Sequence, residues 1–156
     1  MLQRIRSRLG RLSRDERGFS LIEFAVIAPF LGILTVGMAD LGRGYAERFA
    51  LQQAVNRTLE LAHQGTRLDD YSFLIAEAMA AADVPATSVT LTQWLECDGG
   101  TAQAFTATCS GAQQTARYVK LTVVKPFTPL FTTAGYPNVQ SNGTVQLSAN
   151  ASLRVQ

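Results

Sequence analysis

Histidine is nearly missing from this chain: His63 is the one imidazole in 156 residues. No second His and no carboxylate pair at ligand spacing accompanies it, so a zinc-type ligand set is not expected. Late in an alanine- and leucine-containing helical stretch, His63 reads as a surface or helix-end residue. Asp69-Asp70 reads as a helix cap and not as a metal site. Cys97 and Cys109, the two cysteines, stand too far apart for a CxxC redox pair. There is no glycine-rich phosphate loop and no nucleophile elbow. These gaps leave no catalytic residue, metal or cofactor to assign, and no enzyme is expected. Charge is scarce as well, at 17% of residues against about 25% in typical soluble domains. A net charge of +2 is too small to imply a nucleic-acid partner.

The charge that is present is unevenly placed. Residues 1–17 carry six arginines (4, 6, 8, 11, 14 and 17) against Asp15 and Glu16, a net of +4. The remainder carries eight basic and ten acidic side chains, a net of −2. A basic flank ahead of an apolar run keeps that flank in the cytoplasm and sends the C-terminal side across the membrane.

The apolar run follows directly. Phe24 to Ala39 holds no charge, and admitting Glu23 extends it to Phe19–Ala39, with Asp40 at its far end. A spanning helix needs about 20 residues, so the segment suffices. A buried core helix does not need six preceding arginines. A cleaved secretory signal is a closer rival, since Gly37-Met38-Ala39 supplies small residues. Glu23 argues for a retained anchor: a carboxylate inside an apolar span costs up to about 2.5–3.5 kcal/mol, and a disposable signal gains nothing from it.

Arg17-Gly18-Phe19-Ser20-Leu21-Ile22-Glu23-Phe24 resembles the processing site of type IV prepilins and their relatives. In that family a membrane-embedded aspartyl prepilin peptidase cuts after the glycine, and glutamate is the fifth mature residue. The resemblance implies cleavage between Gly18 and Phe19, which makes Glu23 fifth. Glycine there presents backbone to the peptidase without side-chain obstruction. The new ammonium at Phe19 of one subunit then meets the Glu23 carboxylate of a neighbour. Pairing in a low-dielectric setting is strong, and an unpaired partner there is costly. The plainer alternative is a glutamate that reaches to headgroup level or pairs with Arg17.

Further motifs narrow the branch. Pro29 lies deep in the span within Ala28-Pro29-Phe30-Leu31. Asp40-Leu41-Gly42-Arg43-Gly44-Tyr45 leads into Phe49-Ala50-Leu51-Gln52-Gln53-Ala54. Later come Tyr118-Val119-Lys120-Leu121-Thr122-Val123 and Pro126-Phe127-Thr128-Pro129-Leu130-Phe131. This succession is similar to the TadE-like minor pseudopilins of tight-adherence (Flp-type) pili, which tend to have a glutamate-phenylalanine pair, a proline in the span and an acid-x-Gly-Arg element. Pro29 lacks an N–H and kinks or loosens its helix, either passively or so that the helix bends during packing.

Beyond Asp40 the helical period continues through Leu51, Val55, Leu59 and Ala62, with Gly65 as a stop, although Gly42 and Gly44 offer a break. Asp69 or Asp70 is placed to cap a second helix whose apolar face is Tyr71, Leu74, Ile75, Ala78, Met79 and Ala82. The period then becomes two. Val89, Leu91, Leu95 and Cys97 share one side of a strand, with Gln93 an exception. Asp98-Gly99-Gly100 is a turn, and Phe105–Cys109 is expected to return as a second strand. Val119, Leu121 and Val123 mark a third. Val145 to Val155 alternates most cleanly of all. Residues 126–143 are read as a long loop. Asn142-Gly143-Thr144 and Asn150-Ala151-Ser152 are read as turn and strand residues, not glycan acceptors. If the region beyond the span is periplasmic, Cys97 and Cys109 are expected to form a disulfide; otherwise they are free thiols.

The expected fold is α+β: a long N-terminal membrane helix extending into a small periplasmic domain with a second helix and an antiparallel sheet of about four strands. The parts are a cytoplasmic leader (1–18), a transmembrane helix (19–41), its periplasmic extension (42–64) and the α+β domain (65–156). The resemblance implies a single-pass inner-membrane protein, N-terminus cytoplasmic, that is processed by prepilin peptidase and takes part in pilus assembly or initiation. Its implied partners are that peptidase, other pilin and pseudopilin subunits, inner-membrane platform proteins and the lipid bilayer. A pseudopilin of a type II secretion or type IV pilus machine, or an unrelated anchored binding domain, are the alternatives.

Overall fold

The structure, a computed structural model of the chain, describes residues 16–64, 70–130 and 136–156, with the side chains of 16–20 excepted. Most of the expected leader, together with Gly65, Asp69, Phe131 and Gly135, lies outside the described residues. The chain divides into two compact units between Leu41 and Gly42.

One helix, α1, runs from Glu16 to Gln64. It continues through Pro29, and neither Gly42 nor Gly44 breaks it. In the first unit its large apolar side chains face outward, while Asp40 near its end is buried. Leu21, Phe24, Phe30, Ile33 and Met38 are all exposed. The most apolar window of the helix has a mean hydropathy of 2.1, and none of that window is buried. A row of exposed apolar side chains this long is stable in lipid and not in water. Among the described residues α1 is the one helix long and apolar enough to cross a membrane, and it fits a single-pass anchor.

The second unit has an ordinary core. Here α1 buries Leu51, Val55, Leu59 and Ala62, the stripe that the 3.6-residue period requires. Thr58 is also buried, and its hydroxyl donates to the Ala54 carbonyl at 2.9 Å, which removes the penalty of an unpaired polar group. A shorter helix, α2, spans Phe73–Ala82 and buries Leu74, Ala78 and Ala82. Asp70 does not occupy the N-cap position, which falls to Ser72. Instead its carboxylate accepts from the Ser72 N–H at 2.8 Å and the Ser72 hydroxyl at 2.6 Å, a local turn that sets the entry to the helix. At the other end Asp83 takes the left-handed conformation, φ 52°, and the Asp83 and Val84 N–H groups both donate to the Met79 carbonyl, a common helix stop.

Three strands form an antiparallel sheet in the order β1 (Val89–Cys97), β2 (Thr115–Phe127), β3 (Val145–Arg154). Register pairs Leu91 with Leu121 and Leu121 with Ala151. Val119, Leu121 and Val123 from β2 therefore share one face with Leu95, Ala149 and Leu147, and all of these but Leu95 pack in the same core cluster as the helices. The opposite face is more polar, with Trp94 stacked on its cross-strand neighbour Tyr118 at 5.3 Å.

Among the described residues the sheet has three strands, where about four were expected. Phe105–Cys109 does not return as a strand. Backbone pairing with the β1 edge is confined to one bridge, Leu95 with Gln103, after which a turn closes with the Ala107 N–H donating to the Ala104 carbonyl. Phe105 instead turns onto Tyr71, ring centroids 5.9 Å apart, and lies under the Arg117 guanidinium at 5.6 Å. Burying this ring outweighs one or two more edge hydrogen bonds. Pro126, assigned to a loop from sequence, belongs to β2. β1 pairing ends at Val123, so the proline ring meets no strand on that side and its missing N–H costs nothing in the ladder.

Candidate functional site

The sequence singled out residues on two stretches, and the structure treats them differently. Gly18 and Phe19 are in the α1 backbone, and the side chain of Phe19 lies outside what the structure describes. Glu23 is exposed on α1 with exposed Leu21, Ile22 and Phe24 around it. Pro29 follows, also exposed. His63 is exposed in the last turn of α1. Among the described residues no three His, Cys, Asp or Glu side chains gather as metal ligands.

Cys97 and Cys109 are joined as a disulfide with Cα atoms 5.6 Å apart. The bridge ties the excursion after β1 back onto the end of that strand. Within it, Asp98 exchanges bonds with Gln114: the Asp98 N–H donates to the Gln114 carbonyl at 2.9 Å, and the Gln114 N–H to the Asp98 carboxylate at 2.7 Å. Phe105 is thereby held over Tyr71. Burial raises the Tyr71 phenol above its ordinary range, and the nearby Arg117 charge pulls the other way.

A second cluster was not foreseen as a cluster. On α1, Arg43 and Glu47 are one turn apart and share a face. The Arg43 guanidinium lies over the Phe127 ring, 5.7 Å from its centroid. Phe127 also contacts Tyr136, centroids 5.9 Å apart. Gly44 is buried beneath these rings. Lys125 reaches Glu47 at 3.5 Å. Arg43, Glu47, Lys125 and Phe127 edge a groove of about 490 Å³. Arg43 of the acid-x-Gly-Arg element and the Pro126-Phe127-Thr128 stretch, far apart in sequence, are thus brought into one place. The signal available beforehand was Lys125 itself, a charge on the apolar face of β2 where the alternation calls for a hydrophobe.

Arg43, Gly44 and Glu47 fall in one matched segment. Residues 18–59 match the family described as TadE-like protein. The TadE-like segment begins at Gly18, takes in Glu23, Pro29 and the Arg43–Glu47 turn, and ends at Leu59 on the core face of α1. Comparison with curated proteins and with solved structures finds no match. The TadE-like family implies a minor-pilin-like role associated with a tight-adherence pilus, in which a protein is a structural part and not a catalyst.

Proposed function

We propose that this protein is a minor pseudopilin of a tight-adherence pilus, anchored in the inner membrane by α1 with its C-terminal unit in the periplasm. One observation carries the reading. The TadE-like match starts at residue 18, the glycine after which the prepilin-like motif calls for cleavage. Prepilin peptidase removes the arginine-rich leader and frees the Phe19 amine. The amine of one subunit pairs with the Glu23 carboxylate of the next and fixes the axial register, because either charge alone in lipid is costly. Pro29 supplies local give in the helix while subunits pack. Platform proteins and other pilin subunits are the assembly partners, and the bilayer holds the protein until then. The disulfide accords with an oxidising compartment.

Replacing Gly18 by leucine tests the reading. The expected result is a membrane protein retained at the lower gel mobility of the uncut, larger chain. Unchanged mobility against the wild type in cells carrying the peptidase removes the pseudopilin assignment.

A further inference from the structure

We propose that the groove beside Arg43 holds the headgroup of a bilayer phospholipid, of the phosphatidylethanolamine class. This rests on the reading of α1 as a membrane anchor.

Position comes first. Arg43 stands four residues beyond Ala39, the last residue of the uncharged run, which is a rise of about 6 Å along a helix. A side chain at that depth meets phosphates and not acyl chains.

Charge and shape come next. Arg43 and Lys125 both line the groove, with Glu47 beside them and Ala46, Ala50 and Phe127 supplying apolar wall. The volume of about 490 Å³ is in the range of small-ligand sites. Guanidinium and ammonium groups are the usual partners of a phosphodiester anion. Stacking on Phe127 holds the guanidinium in one orientation before a ligand arrives. The Glu47 carboxylate complements a headgroup that carries its own ammonium. Ethanolamine does, and glycerol does not.

Lys125 is the second, independent observation. Along β2 the residues facing the core are Val119, Leu121, Val123 and Phe127, all buried. Lys125 interrupts that series, pairs with Leu147 across the strands, and emerges partly exposed beside Glu47. A hydrophobe would extend the core at this position. An ion pair this exposed contributes little stability, so its placement calls for another use, and an anion in the groove supplies one.

The test uses the full chain in non-ionic detergent, with phosphatidylethanolamine or phosphatidylglycerol added at equal mole fraction and bound lipid counted by native mass spectrometry. Wild type should retain one phosphatidylethanolamine. Lys125→Met with Arg43→Gln should lower that occupancy about tenfold, the size expected from losing charge-assisted contacts. Glu47→Gln should erase the preference for ethanolamine over glycerol. Lys125→Met keeps the apolar alternation of β2, so it and Glu47→Gln carry the test if Arg43→Gln lowers the melting temperature. Equal retention by wild type and variants overturns the proposal, as does displacement of the lipid by excess inorganic phosphate. Carbonate extraction is run alongside: a chain that resists extraction but shows no lipid preference overturns this proposal alone, whereas a chain released by carbonate overturns the anchor reading beneath it.

Discussion

A Cβ built on Gly44 would stand 3.0 Å from the hydroxyl oxygen of Tyr136 and 3.3 Å from Cε1 of Phe127. Two residues earlier, a Cβ on Gly42 would meet nothing within 4 Å. The two glycines therefore do different jobs in one helix. At Gly44 the absent side chain lets aromatic rings lie against the backbone; at Gly42 there is no such neighbour. Gly42→Ala should stabilise the second unit by about 0.5–1 kcal/mol through helix propensity alone. Gly44→Val should destabilise it by about 1–3 kcal/mol by overpacking. Thermal unfolding of the full chain in detergent, followed by near-ultraviolet circular dichroism, reads both. Equal effects at the two positions would remove the packing role of Gly44.

The Cys97–Cys109 bridge closes a short loop, for which the chain-entropy estimate is about 3 kcal/mol. Reduction, or replacement of both cysteines by serine, should lower stability by roughly that amount. It should also release Phe105 from Tyr71, seen as a loss of the tyrosine signal in near-ultraviolet circular dichroism. A melting temperature indifferent to reductant would contradict this.

Much of this architecture was legible in the chain, and the exceptions have physical causes. Val145 to Arg154 read as a strand because one of its faces packs on the core and the other meets solvent, so the alternation is clean. The stripe Leu51, Val55, Leu59, Ala62 was legible for the same reason at helical period. Three other features escaped. Phe105 sits in a segment that alternates passably, but a buried ring contact with Tyr71 and a disulfide decide its path, and neither is a periodic signal. Arg117 breaks the β2 alternation, yet it is accommodated on the core face because its guanidinium covers Phe105 and donates to Gln156 at 2.8 Å. The cluster of Arg43, Glu47, Lys125 and Phe127 was hidden because its members come from distant stretches. Only the register of β2 on its neighbours fixes which of its residues face α1.

Tyr71 gives the second unit a pH dependence at the alkaline end. Desolvation raises its folded-state pKa, with Arg117 opposing. The folded state thus holds this proton more tightly than the unfolded chain, whose tyrosines titrate near pH ~10. The stabilising contribution is complete below that pH and is lost as pH rises through the higher folded-state value. Stability measured from neutral pH into the alkaline range should fall for the wild type and fall less steeply in Tyr71→Phe. Parallel curves for the two would show that this phenol is not the group responsible.

On the proposed reading, Glu23 acts in assembly and not in processing. The proposed pairing requires its carboxylate only after cleavage, so Glu23→Ala should be cut as efficiently as wild type, judged by gel mobility, yet be missing from sheared pilus fractions. Glu23→Gln, which keeps the shape without the charge, should behave like the alanine variant. Pilus incorporation of either variant at wild-type levels would exclude the charge pair.

The central claim is that the mature protein is made by a single cut between Gly18 and Phe19, in the first turn of α1 and ahead of its uncharged apolar run. N-terminal sequencing of the protein extracted from membranes of cells carrying the peptidase reads this directly. The sequence recovered should begin Phe19-Ser20-Leu21-Ile22-Glu23. Recovery of chains beginning at Asp40, or of chains with the leader intact in cells that assemble pili, would contradict it.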